Sequence, residues 1–406
     1  MEYRFSENMA ALKPSAIREI FKSLSDPDMI SFAAGNPAAE SFPAQELSRL
    51  AADIFAHESA AALQYGITEG YAPLRAALSE WLLARRGIGK SRARGDAFDD
   101  EVMIVSGGQQ GIELAARVLC NRGDTVLSEE PTFIGALNAF RSLGAIPCGI
   151  ETEEDGLSPA ALEAALDADP RVKLLYLIPN FQNPSGRTMS LEKRRRVLEI
   201  AQRRGLIILE DDPYGELRFA GKDIPTIKSM DTEGNVIYCS SFSKILSAGM
   251  RVGFVSAPAP LMTKMATGKQ CEDVHSNLFF QMLCYRYMTE CDLDGHIRDI
   301  QAIYRRKCAL MSEEIARHFP AEIEVTHPEG GLFLYCTMPK GEDALDFAAA
   351  AMREKVAVVP GNTFSAWPEK PCCSFRLNYS TPTDDNIKEG IARLGKLLRA
   401  RLARKE

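Results

Sequence analysis

Residues 238–254 read YCSSFSKILSAGMRVGF, and they place one lysine and one arginine in a short polar loop between two apolar runs. Each flanking run is typical of a β-strand. Burial or a nearby cation lowers the pKa of a lysine such as Lys244, so that its amine can form a Schiff base with an aldehyde. Ser241, Ser243 and Arg251 are donors of the kind that bind a phosphate monoester. Taken alone, such a loop is more often a solvated surface turn.

The loop follows the last of several short apolar runs that begin near residue 100. Helical patterns such as LEKRRRVLEIAQRRG separate many of these runs, and this alternation predicts a parallel sheet covered by helices on both faces. Ligands bind beyond the carboxyl ends of the strands in such sheets. The runs are EVMIVS, DTVLSE, AIPCGI, KLLYLIP, LIILED and NVIYCS.

Polar groups follow most of these strand ends. Several of them could bind a ligand, or could have a purely structural role. GGQQG offers backbone N–H groups to an anion at a helix start, or it is a tight turn. Asp211 ends an apolar strand, where a carboxylate needs a cation such as a protonated pyridine, unless it caps the next helix. Asn183 precedes Pro184 in what could be a simple turn, and Tyr214 could be a core residue. Arg376 lies in the strand-like run CSFRLNYS, which indicates a carboxylate partner.

Composition narrows the class of protein. The 406 residues exceed the usual size of a single core, so two domains are expected. With 48 basic and 55 acidic residues the net charge is −7, and no basic block is present, which argues against nucleic acid as a partner. No apolar window predicts a signal peptide or a membrane span. Ten scattered cysteines without CxxC fit reduced thiols in the cytoplasm, and the spacing of the five histidines gives no metal site.

The chain divides into three expected segments. Residues 1–45 form an arm punctuated by proline and glycine, in which MISFAAGN is predicted to be an edge strand. Residues 46–285 form a large cofactor-binding domain. Residues 286–406 form a smaller α+β domain that includes a linking helix. A long helical stretch from Leu278 to His318, with a break near Gly295, connects the two domains.

Together these groups describe a pyridoxal phosphate site. The sequence also resembles the fold-type I aminotransferases of class I/II, and within them the kynurenine and 2-aminoadipate branch. The resemblance implies an α/β fold with a mostly parallel seven-stranded sheet sandwiched by helices, and a smaller α+β domain built from the arm and the C-terminal part. The motifs that carry the resemblance, in the family's order, are QYGITEGYAPLR, SGGQQG, EEPTF, NFQNPSG, LEDDPYGEL, SFSKILSAGMRVGF, PEGGLFLY and FRLNYS.

The resemblance implies a role for each matching residue. Lys244 is expected to form the Schiff base with the cofactor and to shuttle the α-proton. Asp211 is expected to hold the pyridine nitrogen protonated. Asn183, which is also expected at the substrate, and Tyr214 are expected to donate to the ring's phenolic oxygen. The implied phosphate-binding residues are Gly108, Gln109, Ser241, Ser243 and Arg251.

The same resemblance places residues at the substrate. Arg376 matches the arginine that clamps the substrate's α-carboxylate. Phe133 stands where this branch usually has tyrosine, so it can stack on the ring but offers no hydroxyl. Gly35 with Asn36 replaces the usual Gly-Leu-Pro, which bears on side-chain specificity. Arg18 resembles an arm residue that contacts the substrate.

Tyr65 matches a tyrosine that reaches the phosphate of the neighbouring subunit, which implies a homodimer with composite sites. The implied reaction moves an amino group between an L-amino acid and a 2-oxo acid, with an aromatic, 2-aminoadipate or other bulky donor. One alternative is a pyridoxal phosphate lyase that cleaves a C–S bond, because the same lysine and phosphate site serve both. The other is a non-catalytic effector domain of a transcriptional regulator, which would follow a DNA-binding region; here the arm begins almost at Met1.

Overall fold

The computed structural model describes residues 3–12, 26, 28–89 and 100–403. Two sheets and one short strand pair organise this part of the chain. The strands, numbered in chain order, are β1 Ile30–Ser31, β2 Asp100–Val105, β3 Thr125–Glu130, β4 Ile146–Glu153, β5 Gly156–Leu157, β6 Val172–Leu177, β7 Ile207–Asp211, β8 Val236–Ser241, β9 Gly253–Pro258, β10 Glu324–Val325, β11 Phe333–Thr337, β12 Val356–Ala357, β13 Val359–Pro360 and β14 Ser374–Asn378.

Helices connect and cover these strands. A search of the described helices finds none with the length and apolar content of a membrane-spanning segment. Short 3₁₀ turns occur at Ala39–Ser41, Gly215–Leu217 and Gly361–Phe364. The helices, numbered in the order in which they are described, are α1 Glu7–Ala11, α2 Ala44–His57, α3 Ser59–Ala62, α4 Ala72–Arg86, α5 Gly108–Leu119, α6 Ile134–Ser142, α7 Pro159–Ala168, α8 Leu191–Arg204, α9 Ile227–Met230, α10 Ala259–Glu272, α11 Leu278–Glu290, α12 Leu293–His318, α13 Ala344–Arg353 and α14 Asp384–Leu402.

The large sheet has the strand order β2-β9-β8-β7-β6-β3-β4-β5. The five adjacent strands β8, β7, β6, β3 and β4 are parallel to one another, whereas β9 runs antiparallel to both of its neighbours, β2 and β8. The predicted mostly parallel sheet is therefore confirmed, with all seven expected strands. An eighth strand, β5, adds two residues antiparallel to the edge strand β4. Two residues are too few to give a periodic pattern, so the sequence did not indicate it.

The central strands are apolar because helices cover both faces of the sheet. Alternate residues of β6 belong to different hydrophobic clusters. Leu174 and Tyr176 pack in the cluster that includes α5 and α6, and Leu175 and Leu177 pack in the cluster that includes α7 and α8. This layering leaves the strand ends as the place where polar groups gather.

The C-terminal part forms a four-stranded antiparallel sheet in the order β10-β11-β14-β13. The edge strand predicted in the arm is confirmed as β1, which pairs in parallel with β12, Ile30 opposite Val356. The arm is thus tied to the C-terminal part, which brings Gly35 beside the large sheet. The limits of the three segments stay a prediction.

The long helical stretch breaks at Cys291 and Asp292, slightly before the predicted position. Gly295 lies inside α12, and its backbone N–H donates to Asp292 Oδ1 at 2.7 Å. Asp292 is thus the N-cap of the helix. An N-cap carboxylate is the signal that marks the start of this helix more closely than the glycine does.

Candidate active site

A cavity of about 400 Å³ lies at the carboxyl ends of the parallel strands. It is bounded by the large sheet on one side and by β11, β14 and the arm on the other. All of the predicted site residues that the structure describes line it, with the exception of Tyr65. These residues are Gly35, Gly108, Gln109, Phe133, Asn183, Asp211, Tyr214, Ser241, Ser243, Lys244, Arg251 and Arg376.

Lys244 follows β8 and points its amine into this cavity, where Nζ donates to the carbonyl oxygen of Gly35 at 2.6 Å. Burial lowers the pKa of the Lys244 amine to about 8, and the positive charges of Arg376 and Arg251 act in the same direction. A lysine with this pKa has a substantial neutral fraction near neutral pH, which is the form that attacks an aldehyde.

Asp211 is the last residue of β7 and is buried. Its Oδ2 accepts a hydrogen bond from the hydroxyl of Tyr176 at 2.6 Å. Burial raises the pKa of Asp211 to about 7; the Tyr176 hydrogen bond opposes this rise and the neighbouring Asp212 adds to it. The alternative in which Asp211 caps the next helix is wrong, because the next helical turn begins at Gly215 and has Tyr214 at its N-cap. The carboxylate is therefore available to a cation in the cavity.

Arg376 lies in the middle of β14 and is also buried. Its Nη1 donates to Asn183 Oδ1 at 2.7 Å, and its Nη2 donates to the carbonyl oxygen of Ala33 at 2.6 Å. Nε is buried and has no hydrogen-bond partner in the part of the chain that the structure describes. The guanidinium stacks on the ring of Phe333 with 4.2 Å to the centroid. Among the described residues it forms no ion pair with a carboxylate, and burial lowers the pKa of Arg376 to about 10. The Arg376 guanidinium is therefore a fixed cation that can form an ion pair with an anionic ligand.

The phosphate side of the cavity joins the start of α5 to the loop after β8. Gly107 is the N-cap of α5, with φ 72° and ψ 166°. A Cβ on Gly107 would lie 2.1 Å from Nη2 of Arg251, so only glycine leaves room for this guanidinium. Ser241 Oγ donates to Ser243 Oγ at 2.7 Å. Backbone N–H groups at a helix start, two hydroxyls and an arginine thus converge on one end of the cavity, which suits a phosphate.

Two aromatic side chains and an amide complete the walls. Phe133 precedes α6 and lines the cavity. Tyr214 is buried, and its ring meets the ring of Phe333 edge to face at 5.8 Å. A hydrogen bond joins Tyr214 to Asn183, although burial still raises the pKa of the tyrosine. Tyr214 is thus both a core residue and a wall of the cavity, and Asn183 bridges it to Arg376.

Tyr65 does not line the cavity. Its side chain is 81% exposed, and its ring lies edge-on to that of His275 at 5.7 Å. Arg18 lies outside the described residues. Asn36 lies at the cavity wall, where its carbonyl oxygen accepts hydrogen bonds from Ser380 Oγ at 2.6 Å and Thr381 Oγ1 at 3.2 Å. The backbone that replaces Gly-Leu-Pro is therefore held firmly by the loop after β14.

Sequence reasoning missed several residues of the site. In the sequence Tyr176 is one residue of an apolar strand, and its hydroxyl is the available signal, because a buried hydroxyl needs a partner. Phe333 lies within PEGGLFLY, a motif that carries the resemblance but gives this residue no role. The other missed wall residues are apolar or small and resemble any core residue; they are Ala33, Ile112, Ile178, Pro213 and Ala248.

Comparison with known proteins agrees with this geometry. Residues 27–394 match the family model described as aminotransferase class I and II. The chain is 37% identical over 402 residues to aromatic-amino-acid aminotransferase 1 of Thermococcus litoralis, covering 98% of this chain and 94% of the relative. A coordinate comparison with Pyrococcus horikoshii kynurenine aminotransferase, solved in complex with PMP, KYN and KYA, gives a TM-score of 0.92 at 36% identity, covering 98% and 97% of the two chains.

The α-aminoadipate aminotransferase of Thermus thermophilus is similar as well. Its structure, complexed with N-(5'-phosphopyridoxyl)-L-leucine, gives a TM-score of 0.88 at 36% identity and covers 98% of each chain. Both the family model and the sequence relative span most of the chain, so the match is not confined to one domain. The chain belongs to the class I and II aminotransferase family and is a pyridoxal-phosphate-dependent aminotransferase.

Proposed function

We propose that this aminotransferase uses Lys244 as the lysine that bonds the cofactor and moves the α-proton, Asp211 as the partner of the ring nitrogen, and Arg376 as the clamp for the substrate α-carboxylate. The observation that carries the proposal is the shared cavity of about 400 Å³, which places all three around one volume. Each of them is a buried or partly buried charged group whose pKa is displaced from its usual value, a common feature of active sites.

The residues present fit pyridoxal phosphate. The glycine at position 107 leaves room for Arg251 beside the N-terminus of α5, where a phosphate is favoured. Asp211 is a buried carboxylate, and a protonated pyridine supplies the cation that such a group requires. When bound, pyridoxal phosphate supplies an aldehyde for the amino group and a ring that takes up the electrons of the Cα–H bond. Phe133 would stack on the ring, and Tyr214 and Asn183 would donate to its phenolic oxygen.

Lys244 is the proposed acid and base of the reaction. When it is not bonded to the cofactor, Nζ of Lys244 lies 2.6 Å from the Gly35 carbonyl oxygen. With a pKa near 8, the freed amine can accept a proton at neutral pH and return it. The carbonyl of Gly35 gives the amine a fixed resting position close to the substrate.

Arg376 is the proposed anchor of the substrate. Two of its five N–H groups are used by Asn183 and Ala33, which fix the plane of the guanidinium. The remaining donors, Nε among them, can bind a carboxylate through two parallel hydrogen bonds. An α-carboxylate held there would present the substrate's Cα toward Lys244 on the opposite wall.

The proposed amino donor is aromatic, 2-aminoadipate or another bulky amino acid. Phe133, Phe333 and Ile112 give the cavity apolar walls that suit a large side chain. Relatives named for aromatic amino acids, kynurenine and α-aminoadipate support this class of donor. An acidic side chain would require a further cation, and Arg18 of the arm is proposed for that contact.

We also propose a homodimer in which Tyr65 reaches the phosphate of the neighbouring subunit. Tyr65 is 81% exposed, and large apolar side chains near it in the sequence are exposed too, with Leu63 at 73% and Ile67 at 56%. Exposed apolar residues of this size favour a protein interface. A cytoplasmic location is proposed as well, and the ten free cysteines support it.

A substrate screen tests the function. Each common amino acid, kynurenine and 2-aminoadipate would be added to the cofactor-loaded protein with excess 2-oxoglutarate, and the new 2-oxo acid would be quantified. We expect aromatic or 2-aminoadipate donors to give many turnovers. A C–S lyase would instead release pyruvate and ammonia from cysteine conjugates without an acceptor, and an effector domain would bind donors without turnover. Either result would overturn the proposal.

A further inference from the structure

Tyr176 has a buried hydroxyl that the mechanism above does not use. On β6, Tyr176 lies directly opposite Leu209 of β7. Asp211 is two residues further along β7, so its side chain projects from the same face of the sheet as Tyr176. The tyrosine therefore reaches diagonally across the strands, and its hydroxyl donates to Asp211 Oδ2 at 2.6 Å.

The position of the Tyr176 ring is fixed by packing. The residue is 0% exposed, and its ring meets that of Phe140 from α6 edge to face at 5.7 Å. The other carboxylate oxygen, Oδ1, faces the start of α5, where a Cβ on Gly108 would lie 3.9 Å away. One oxygen of Asp211 is thus held by tyrosine, and the other lies toward the cavity.

We propose that Tyr176 is a positioning residue that acts through Asp211: it holds one carboxylate oxygen so that the ionised group presents the other to the ring nitrogen of the cofactor. The inference rests on the proposed role of Asp211. A hydrogen bond to a carboxylate favours its charged form, and in a buried site the alternative is a neutral acid. A neutral Asp211 could not stabilise a positive ring nitrogen, so the hydroxyl contributes to cofactor binding without touching the cofactor.

The chain offers a matched control on the opposite face of the same sheet. Tyr238 of β8 lies opposite Glu210 of β7, one residue before Asp211. Its hydroxyl reaches diagonally to Asp212 Oδ2 at 3.0 Å, in a buried site like that of Tyr176. Asp212 does not line the cavity. Tyr238→Phe therefore removes the same group from an equivalent carboxylate that has no proposed contact with the cofactor.

The test is a double-mutant cycle with pyridoxamine 5'-phosphate as the probe. This molecule has the ring and the phosphate but no aldehyde, so Lys244 does not bond to it. Its dissociation constant would be measured at pH 8 for the wild type, Y176F, D211N, Y176F/D211N and Y238F. We expect Y176F to weaken binding roughly tenfold or more, as for a lost hydrogen bond to a charged group. In the D211N background Y176F should change the constant less than about twofold, and Y238F alone less than about threefold.

The other outcomes of the binding measurements separate the inference from the proposed function. An equal loss from Y176F in both backgrounds, or from Y238F, would make Tyr176 a structural residue and overturn the inference. A wild-type protein that binds neither pyridoxamine phosphate nor pyridoxal phosphate would instead overturn the proposed function. Thermal unfolding of the cofactor-free variants gives a second measurement. If Y176F fails to fold while Y176F/D211N folds, the coupling is confirmed; if both fail, the inference is wrong.

Discussion

Lys244 has a depressed pKa because its amine is buried beside two arginines, and this has a measurable consequence for cofactor attachment. The neutral amine attacks the aldehyde, and lowering the pKa increases the neutral fraction at a given pH. We expect the initial rate of pyridoxal phosphate attachment to the cofactor-free protein to rise with pH through a midpoint near 8. Stopped-flow absorbance from pH 6 to 11 would measure it. A midpoint above about 10, the value of an ordinary lysine, would contradict the assigned environment.

Arg376 carries a geometric requirement as well as a charge. Arg376→Lys keeps the charge but replaces a planar fork with a point charge, so the α-hydrogen is misplaced relative to Lys244. We expect kcat/KM to fall roughly a hundredfold or more for every amino donor and every 2-oxo acid alike. Cofactor affinity should barely change, since Arg376 lies away from the phosphate side. Loss of activity toward acidic substrates alone would show that Arg376 contacts a side chain and that the α-carboxylate is held elsewhere.

The residues of the site differ in how far the sequence reveals them. Asp211 and Arg376 stand out because a charge in or beside an apolar run needs a partner, and Lys244 stands out because serines and an arginine share its loop. Tyr176 does not stand out, because its contact with Asp211 depends on strand register, which periodicity does not give. The residues next to Tyr65 in the sequence likewise do not predict that its side chain is exposed.

At the scale of elements, the N-terminus of α5 depends on Gly107. An alanine there would have a backbone conformation that is essentially restricted to glycine, and its Cβ would displace Arg251. We expect Gly107→Ala to weaken pyridoxal phosphate binding about tenfold or more, as for loss of a charged hydrogen bond. Equilibrium dialysis of the reconstituted protein would measure this loss.

Gly205→Ala is the control for that substitution. Gly205 also has a positive φ, 64°, but a Cβ there would have no atom of the described residues within 4 Å. It should lower stability without changing cofactor affinity, because the strain lies far from the cavity. If both alanine variants bound the cofactor equally well, the position assigned to Arg251 would be wrong.

Element type was predictable wherever the chain buries long apolar runs. Seven of the eight strands of the large sheet were indicated, because helices cover both faces of the sheet and its strands are therefore rich in apolar residues. β5 has only two residues, too few for a periodic pattern, and the sequence did not indicate it. The pairing of β1 with β12 joins segments more than 300 residues apart, and only the fold brings them together.

At the scale of the whole molecule, the proposed dimer makes a specific prediction about Tyr65. Tyr65→Ala should weaken cofactor binding about tenfold, and Lys244→Ala should be inactive. If Tyr65 serves the neighbouring subunit, a hybrid of the two variants contains one site with both wild-type residues. We expect co-expressed, doubly tagged hybrids to regain up to about half of the wild-type activity per dimer, since one of two sites is intact.

The opposite arrangement gives a clear contrast. If Tyr65 acted within its own chain, each site of the hybrid would lack one residue, and its activity at limiting cofactor would not exceed that of the Tyr65→Ala homodimer. The two homodimeric variants, purified with the same tags, provide the baseline. A chain that remains monomeric at micromolar concentration in analytical ultracentrifugation would contradict the composite site directly.

The central claim is that Lys244 moves the α-proton, whereas other residues are sufficient to bind the cofactor. The measurement is a single half-reaction, in which cofactor-loaded Lys244→Ala is mixed with a good amino donor and its absorbance is followed. We expect the cofactor to remain bound, because the phosphate-binding residues do not include Lys244, and the half-reaction to be slower than wild type by roughly a thousandfold or more. A half-reaction faster than about one thousandth of the wild-type rate would contradict the assignment.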